Sequence, residues 1–166
     1  MSLIVEDGTI VSGAESLCSV DYATTYHAAR GNSAWTALET AQMEEALRKA
    51  TDYGRQAYRQ RWQGVRVSEL QEQDFPRYGI IVDSWAIAPD IVPIDVQNAW
   101  AELALRSASA ALNPDLKQMK TSVTVGPIKT DYDTNSPQQK RYLAVDQMLR
   151  PFFKAGCGCS TELVRR

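Results

Sequence analysis

The stretch "ATDYGRQAYRQRWQGVR", residues 50–66, decides how this chain is built. Its arginines interleaved with tyrosines and a tryptophan suit a nucleic-acid surface. They suit equally the polar face of a helix whose aromatics point inward. At about 100° per residue counted from Met43, Arg48, Arg55 and Arg59 fall within roughly 40° of one another. Ala46, Ala50, Tyr53 and Ala57 fall on the opposite side. Met43, Ala46, Leu47, Ala50, Tyr53 and Ala57 recur at three- and four-residue steps, so an amphipathic helix is expected from about Thr40. Arg61 would project toward the apolar side. The helix is therefore expected to end by about Gln60, with Tyr58 at the boundary and Trp62 folded back under the chain. The aromatics read as core, which leaves a stacking platform for single strands without its main part. Arg48, Arg55 and Arg59 remain as a candidate contact for phosphate or for an acidic partner.

Working toward the amino end, "CSVDYATTYHAARG" opens with Ser19 as an N-cap and closes at Gly31, a helix-stop signal. "NSAW" restarts a helix. "LIVEDGTIV", residues 3–11, places β-prone triplets around Asp7-Gly8, which predicts a small hairpin or a bent strand. Toward the carboxyl end the periodicity dissolves from Gly64 to Pro93, where only "GIIV" looks strand-like. A connector of that length tends to make contacts or carry function. Pro93 sits where the first turn of a helix accepts proline. The helix that follows is expected to stop at Asn113-Pro114. Val96, Ala99, Trp100, Leu103, Ser107 and Ala110 form one face, and its polar strip is narrow: Asp95, Asn98, Glu102 and Arg106. That marks it as the most buried helix, with Glu102 and Arg106 spaced for an ion pair.

"TSVTVGPIKTDYD" has strand chemistry with a break at Gly126-Pro127, either a tight hairpin or one kinked strand. A last helix is expected from near Ser136-Pro137, burying Tyr142, Val145 and Leu149 before Pro151 ends it. The reading is mainly α: a small bundle of four to five helices with a short β-strand or hairpin segment. Residues 1–153 form one domain and residues 154–166 a flexible tail.

The whole chain sets limits on function. Its 166 residues are enough for a core without staples. A net charge of −2 argues against a wholly basic nucleic-acid binder. No apolar run suits a membrane span, and the opening residues lack the pattern of a signal peptide, so a cytoplasmic site of synthesis is expected. His27 is the sole histidine, so neither a Ser-His-Asp set nor a zinc-histidine cluster can be assembled. Cys18, Cys157 and Cys159 make neither a disulfide framework nor a four-cysteine site. Glu44-Glu45 read as a solvated face. No catalytic, cofactor or metal residue is expected, and the chain is expected not to be an enzyme.

Several pieces stand in a telling order: "LIVEDGT", "YHAARGNSAW", "EEALRKATDY", "RWQGVR", "FPR", "IVPIDVQNAWAELALRS", "VGPIKTDY" and "VDQMLRPFF". From Leu3 to Phe153 the chain resembles the tailed-phage head–tail connector (adaptor, or head-completion) proteins, some of which carry a DnaT-like single-stranded-DNA-binding label. The resemblance implies a mainly helical subunit of a homo-oligomeric ring, commonly a dodecamer, under the portal at the neck of the virion. The ring would join portal to a tail or stopper protein, after assembly in the host cytoplasm. DNA would pass its lumen without being read, and no membrane is involved. The strand segment 121–132 offers an edge for a neighbouring subunit, and "TELVRR" a tail that orders on docking. The expected subunit or portal contacts are Val123, Val125, Ile128, Thr130, Tyr132, Leu163 and Val164. The alternative, single-stranded-DNA binding, rests on Arg48, Arg55 and Arg59.

Overall fold

The computed structural model describes residues 2–114, 120–124, 129–132 and 140–154, the two short middle segments as backbone strands. The chain is mainly helical with small antiparallel hairpins, as its periodicity predicts. Helices α1 (Val20–Ala28), α2 (Ser33–Thr36), α3 (Thr40–Tyr58), α4 (Ile94–Ser109) and α5 (Leu143–Leu149) are joined by three two-stranded hairpins. These pair β1 (Val65–Arg66) with β2 (Arg77–Tyr78), β3 (Ile81–Val82) with β4 (Trp85–Ala86), and β5 (Lys120–Thr124) with β6 (Lys129–Tyr132). No helix among the described residues is long and apolar enough to cross a membrane.

Local chemistry sets the helix ends. Ser19 caps α1 by accepting the Tyr22 N–H at 3.1 Å. At the start of α3, Glu39 and Gln42 form a reciprocal capping box, with the Glu39 N–H donated to Gln42 Oε1 at 3.0 Å. α3 ends at Tyr58, two residues short of the expected limit. α4 ends at Ser109, before the expected stop at Asn113-Pro114, because Ala110 is already extended. That turn lets Leu112 bury itself, with its carbonyl accepting the Tyr142 hydroxyl at 3.0 Å. Ala110, expected on the buried face, is exposed as a result.

The core lies between α3 and α4. Met43, Ala46, Leu47, Ala50 and Tyr53 of α3 face Val96, Ala99, Trp100, Leu103 and Ala104 of α4. Gly54 explains how α3 comes so close. A Cβ there would stand 2.5 Å from Trp100 Cζ2, so the indole occupies the space that a side chain would need. Trp100 Nε1 donates to Thr51 Oγ1 at 3.1 Å, and Ser107 Oγ donates to the Ala46 carbonyl at 2.9 Å. Polar groups buried between the helices are thus paired.

Trp62 does fold back under the chain and is fully buried. Its ring lies 5.0 Å from Phe75, 5.1 Å from Phe153 and 6.3 Å from Trp100. Tyr58, placed at the boundary by its helical angle, is buried as well, stacked on Phe153 at 5.6 Å. The backbone closes over these rings. Trp62 and Phe153 form an antiparallel bridge, Gln63 N donates to Phe152 O at 2.9 Å, and Lys154 N donates to Arg61 O at 2.8 Å.

The amino end corrects an expectation. Residues 3–11 form neither the hairpin nor the bent strand expected of them. The buried Glu6 carboxylate accepts the N–H groups of Gly8, Ile10 and Val11 at 2.9–3.0 Å, and these bonds shape residues 6–11 into a loop. Val5 instead bridges Ser16 in parallel. Gly8, at φ +113°, lies against the Asp90 carbonyl, which a Cβ would meet at 2.1 Å.

Candidate functional site

The arginine face of α3 is less uniform than its spacing suggests. Arg48 bonds Glu15 at 2.9 Å and Glu44 at 3.5 Å, which commits it to the amino-terminal loop and its own helix. Arg55 and Arg59 are exposed. Their positive field reaches Asp74 together with that of Arg77 and opposes a desolvation that pushes the Asp74 carboxyl above its usual range. The Asp74 carboxylate also accepts Trp62 Nε1–H at 3.2 Å. Arg48 is thus engaged in ion pairs while Arg55 and Arg59 stay exposed, and none of the tyrosines in the stretch that supplies them faces out.

The segment between α3 and α4 holds its shape by polar side chains that satisfy backbone groups. Gln71 Oε1 accepts Val67 N–H at 3.1 Å, while its Nε2 donates to the carbonyls of Gln73 (2.9 Å) and Pro76 (2.8 Å). Arg77 donates to the carbonyls of Gln63, Gly64 and Asp74 at 2.8, 2.8 and 3.1 Å. Gln73 bonds the Ala14 carbonyl, which ties the segment to the amino-terminal loop. The peptide bond Phe75–Pro76 is cis. Gln71, Gln73, Asp74 and Arg77 are buried beside Phe75 and Ile80, while other apolar side chains of the segment are exposed.

Of the ten large hydrophobic side chains exposed among the described residues, eight lie between Val65 and Ile94. Leu70 is 82% exposed, Trp85 78% and Tyr78 67%. Val65 and Tyr78 are register partners across β1–β2, and Trp85 is the register partner of Val82 across β3–β4. The turn between β3 and β4, Asp83-Ser84, has positive φ at both positions, as the tightest hairpin turns require. Glu69, Asp83 and Asp90 are exposed along the same segment. Exposed apolar side chains this numerous in one segment fit contact with another chain or segment.

A second contact feature is the β5–β6 hairpin. Residues 121–132 are one hairpin rather than one kinked strand: Val123 pairs with Thr130, and Lys120 with Tyr132. Its sheet holds two strands, so both outer edges are free of a third strand among the described residues. Val125, Ile128, Leu163 and Val164 lie outside the described residues, as does the expected start of the last helix near Ser136-Pro137. Sequence reasoning placed the contact surface in this hairpin and did not single out Val65, Tyr78, Ile81 and Trp85. Their signal was an apolar-rich but aperiodic stretch, "YGIIVDSW", inside a connector.

The residues weighed for chemistry have structural settings. His27 is buried, with Nε2 at 3.0 Å from the Ala101 carbonyl and Nδ1 at 3.1 Å from Asn32 Nδ2. Nε2–H therefore donates, Nδ1 accepts, and the ring is neutral. Burial holds its pKa below the ordinary 6.5. Cys18 is buried and its thiol is pushed up to about 12 by desolvation, which makes it inert. No group of three His, Cys, Asp or Glu side chains among the described residues is placed to hold a metal ion. A groove of about 350 Å³ lies between α3 and the turn after α4, beside Tyr53, Ser107 and Leu112.

A family model described as "Putative DnaT-like ssDNA binding protein" matches residues 1–166. The chain belongs to that family. No curated protein and no solved structure matches it. The described residues of this family member thus offer two exposed sets: Arg55 and Arg59 on α3, and the apolar side chains of 65–94.

Proposed function

We propose that this DnaT-like family member is a virion assembly subunit, a head–tail connector that forms a ring under the portal and joins the DNA-filled head to the tail. The observation that carries this reading is the crowding of exposed apolar side chains into residues 65–94, on hairpins that the other described residues leave uncovered. The open edges of β5–β6 add a second means of contact. Two unlike surfaces on one subunit allow head-to-tail contacts, which close into a ring when the rotation between neighbours divides a full turn. Portal, stopper and virion location are what the resemblance of the motif order implies, and action by contact rather than by catalysis is part of the same proposal. Size-exclusion chromatography with light scattering, with and without portal, tests it. A ring, or a portal-bound species, is expected; a monomer indifferent to portal ends the reading.

A second reading, single-stranded-DNA binding, is favoured by the family's description and by the exposure of Arg55 and Arg59. With the α3 aromatics buried, stacking on bases would fall to Tyr78 and Trp85. It predicts oligonucleotide binding that weakens with salt and with Arg55→Ala/Arg59→Ala. Absence of binding at low salt removes it.

A further inference from the structure

Two pairs of arginines stand at spacings that like charges disfavour. Arg55 and Arg59 are exposed four residues apart on α3, which sets their Cβ atoms about 5–6 Å from each other. Arg66 and Arg77 are register partners across β1–β2, directly opposite on one face of the hairpin. Asp74 links the two pairs. Arg55, Arg59 and Arg77 all act on its carboxylate, and Arg59 and Arg66 act on Arg77. Four positive charges therefore gather around one carboxylate.

Their bonding separates the groups that support this cluster from those that face outward. Arg77 is buried and holds three backbone carbonyls, which fix its place without neutralising it. Arg66 is half-buried and donates to the Gln71 carbonyl at 2.6 Å. Asp74 is buried, and one of its oxygens accepts Trp62 Nε1–H at 3.2 Å. Arg55 and Arg59 make no hydrogen bond or ion pair with any described residue.

We infer that this cluster is a phosphate site for a single strand, and that Asp74 is its internal competitor. Arg55, Arg59 and Arg66 meet the phosphodiester backbone, and Arg77 adds positive field from beneath. Guanidinium groups suit this ligand because their forked N–H donors match phosphate oxygens. Asp74 opposes the same field and keeps the hold on each phosphate weak. Phosphate contacts carry no sequence information, so a strand is held here without being read. The inference rests on the single-stranded-DNA reading and adds to it the residue that limits affinity.

Fluorescence anisotropy of a labelled oligothymidylate, read over a range of salt, tests it on the full chain. Asp74→Asn removes the charge and keeps an acceptor for Trp62 Nε1–H. Asp74→Ser, equally neutral, replaces it if thermal melts show that Asp74→Asn does not fold. The neutral variant is expected to bind roughly three- to tenfold more tightly at low salt, a gain that shrinks as salt screens it. In the Arg55→Ala/Arg59→Ala background the same substitution should gain less than about twofold, because the groups it acts on are gone. Arg66→Gln should weaken binding and lower the salt slope by about 0.7, the share of one phosphate contact on a single strand. If the wild-type chain binds and the folded neutral variant binds no better, the competitor role is overturned and the DNA reading stands. Absence of binding by all of these chains at low salt overturns both. Pyrophosphate or polyglutamate that binds more tightly than the oligonucleotide overturns the nucleic-acid occupant, by assigning the cluster to free phosphate or to an acidic protein segment.

Discussion

α3 with α4, and the segment from Gln63 to Pro93 that links them, reach an ordered state by opposite routes. Across the helix pair, apolar side chains at helical spacing interlock, and Gly54 is emptied of a side chain so that Trp100 fits. In the linking segment Gln71, Gln73 and Arg77 face inward beside Phe75 and Ile80 and hold backbone groups in place, while Val65, Tyr78, Ile81 and Trp85 are turned out. The first route spends hydrophobic surface on stability. The second keeps such surface available for contact. Trp62 joins the two, touching Trp100 on one side and Phe75 on the other.

The strongest way to break this contrast is Trp62→Ala. It should cost about 3–5 kcal/mol, as large aromatic truncations in cores do. Because the ring serves both regions, thermal unfolding followed by circular dichroism should remain one transition at lower temperature. Two separated transitions would show the regions to be independent. Next comes Arg77→Ala, which strips donors from three carbonyls. A loss of about 2–3 kcal/mol is expected from buried acceptors left unpaired. Hydrogen exchange should accelerate in residues 63–82 first, with α3 and α4 still protected; uniform acceleration would contradict a locally organised segment.

Gly54→Ala sharpens the helix side. Alanine gains up to about 1 kcal/mol in helix propensity. Overpacking against the Trp100 ring costs about 1–3 kcal/mol, so net destabilisation is expected in denaturant melts; a gain would mean that the ring yields freely. A smaller effect should come from pH. With its folded pKa held below 6.5 by burial, His27 is neutral when folded but takes a proton when unfolded as pH falls through 6.5. Stability should therefore decline from pH 7.5 toward pH 5.5, and His27→Gln should flatten that slope in paired melting curves. Smallest of all is Tyr58→Phe. The buried hydroxyl makes no hydrogen bond of ordinary length among the described residues, although Asp146 and the Tyr53 hydroxyl lie close enough to act on it, so its removal should change stability by less than about 1 kcal/mol. A clear loss would reveal an unseen partner.

The helical half was legible because burial there follows a period. Met43, Ala46, Leu47, Ala50 and Tyr53 could be assigned to the core from spacing alone, as could Val96, Trp100 and Leu103. Ser19 and the Glu102–Arg106 pair were equally readable, since capping and ion pairing are local. Failures occurred where one polar side chain reorganises its surroundings. Glu6 draws three N–H groups to itself and so prevents the hairpin suggested by "LIVEDGTIV". Leu112 turns inward beneath Tyr142, thirty residues away, and thereby shortens α4. The candidate contact surface was missed for the same reason. Nothing in the order of Gln71, Gln73 and Arg77 announces that they, rather than Ile81 and Trp85, will face inward.

The bridge between Trp62 and Phe153 bears on how the molecule is made. A ribosome releases α3 and α4 long before it reaches Phe153, yet the rings of Tyr58 and Trp62 wait for that residue as their roof. Every nascent copy therefore passes through an interval with its aromatic cluster uncapped. During that interval a chaperone, or a neighbouring nascent chain, would meet it first.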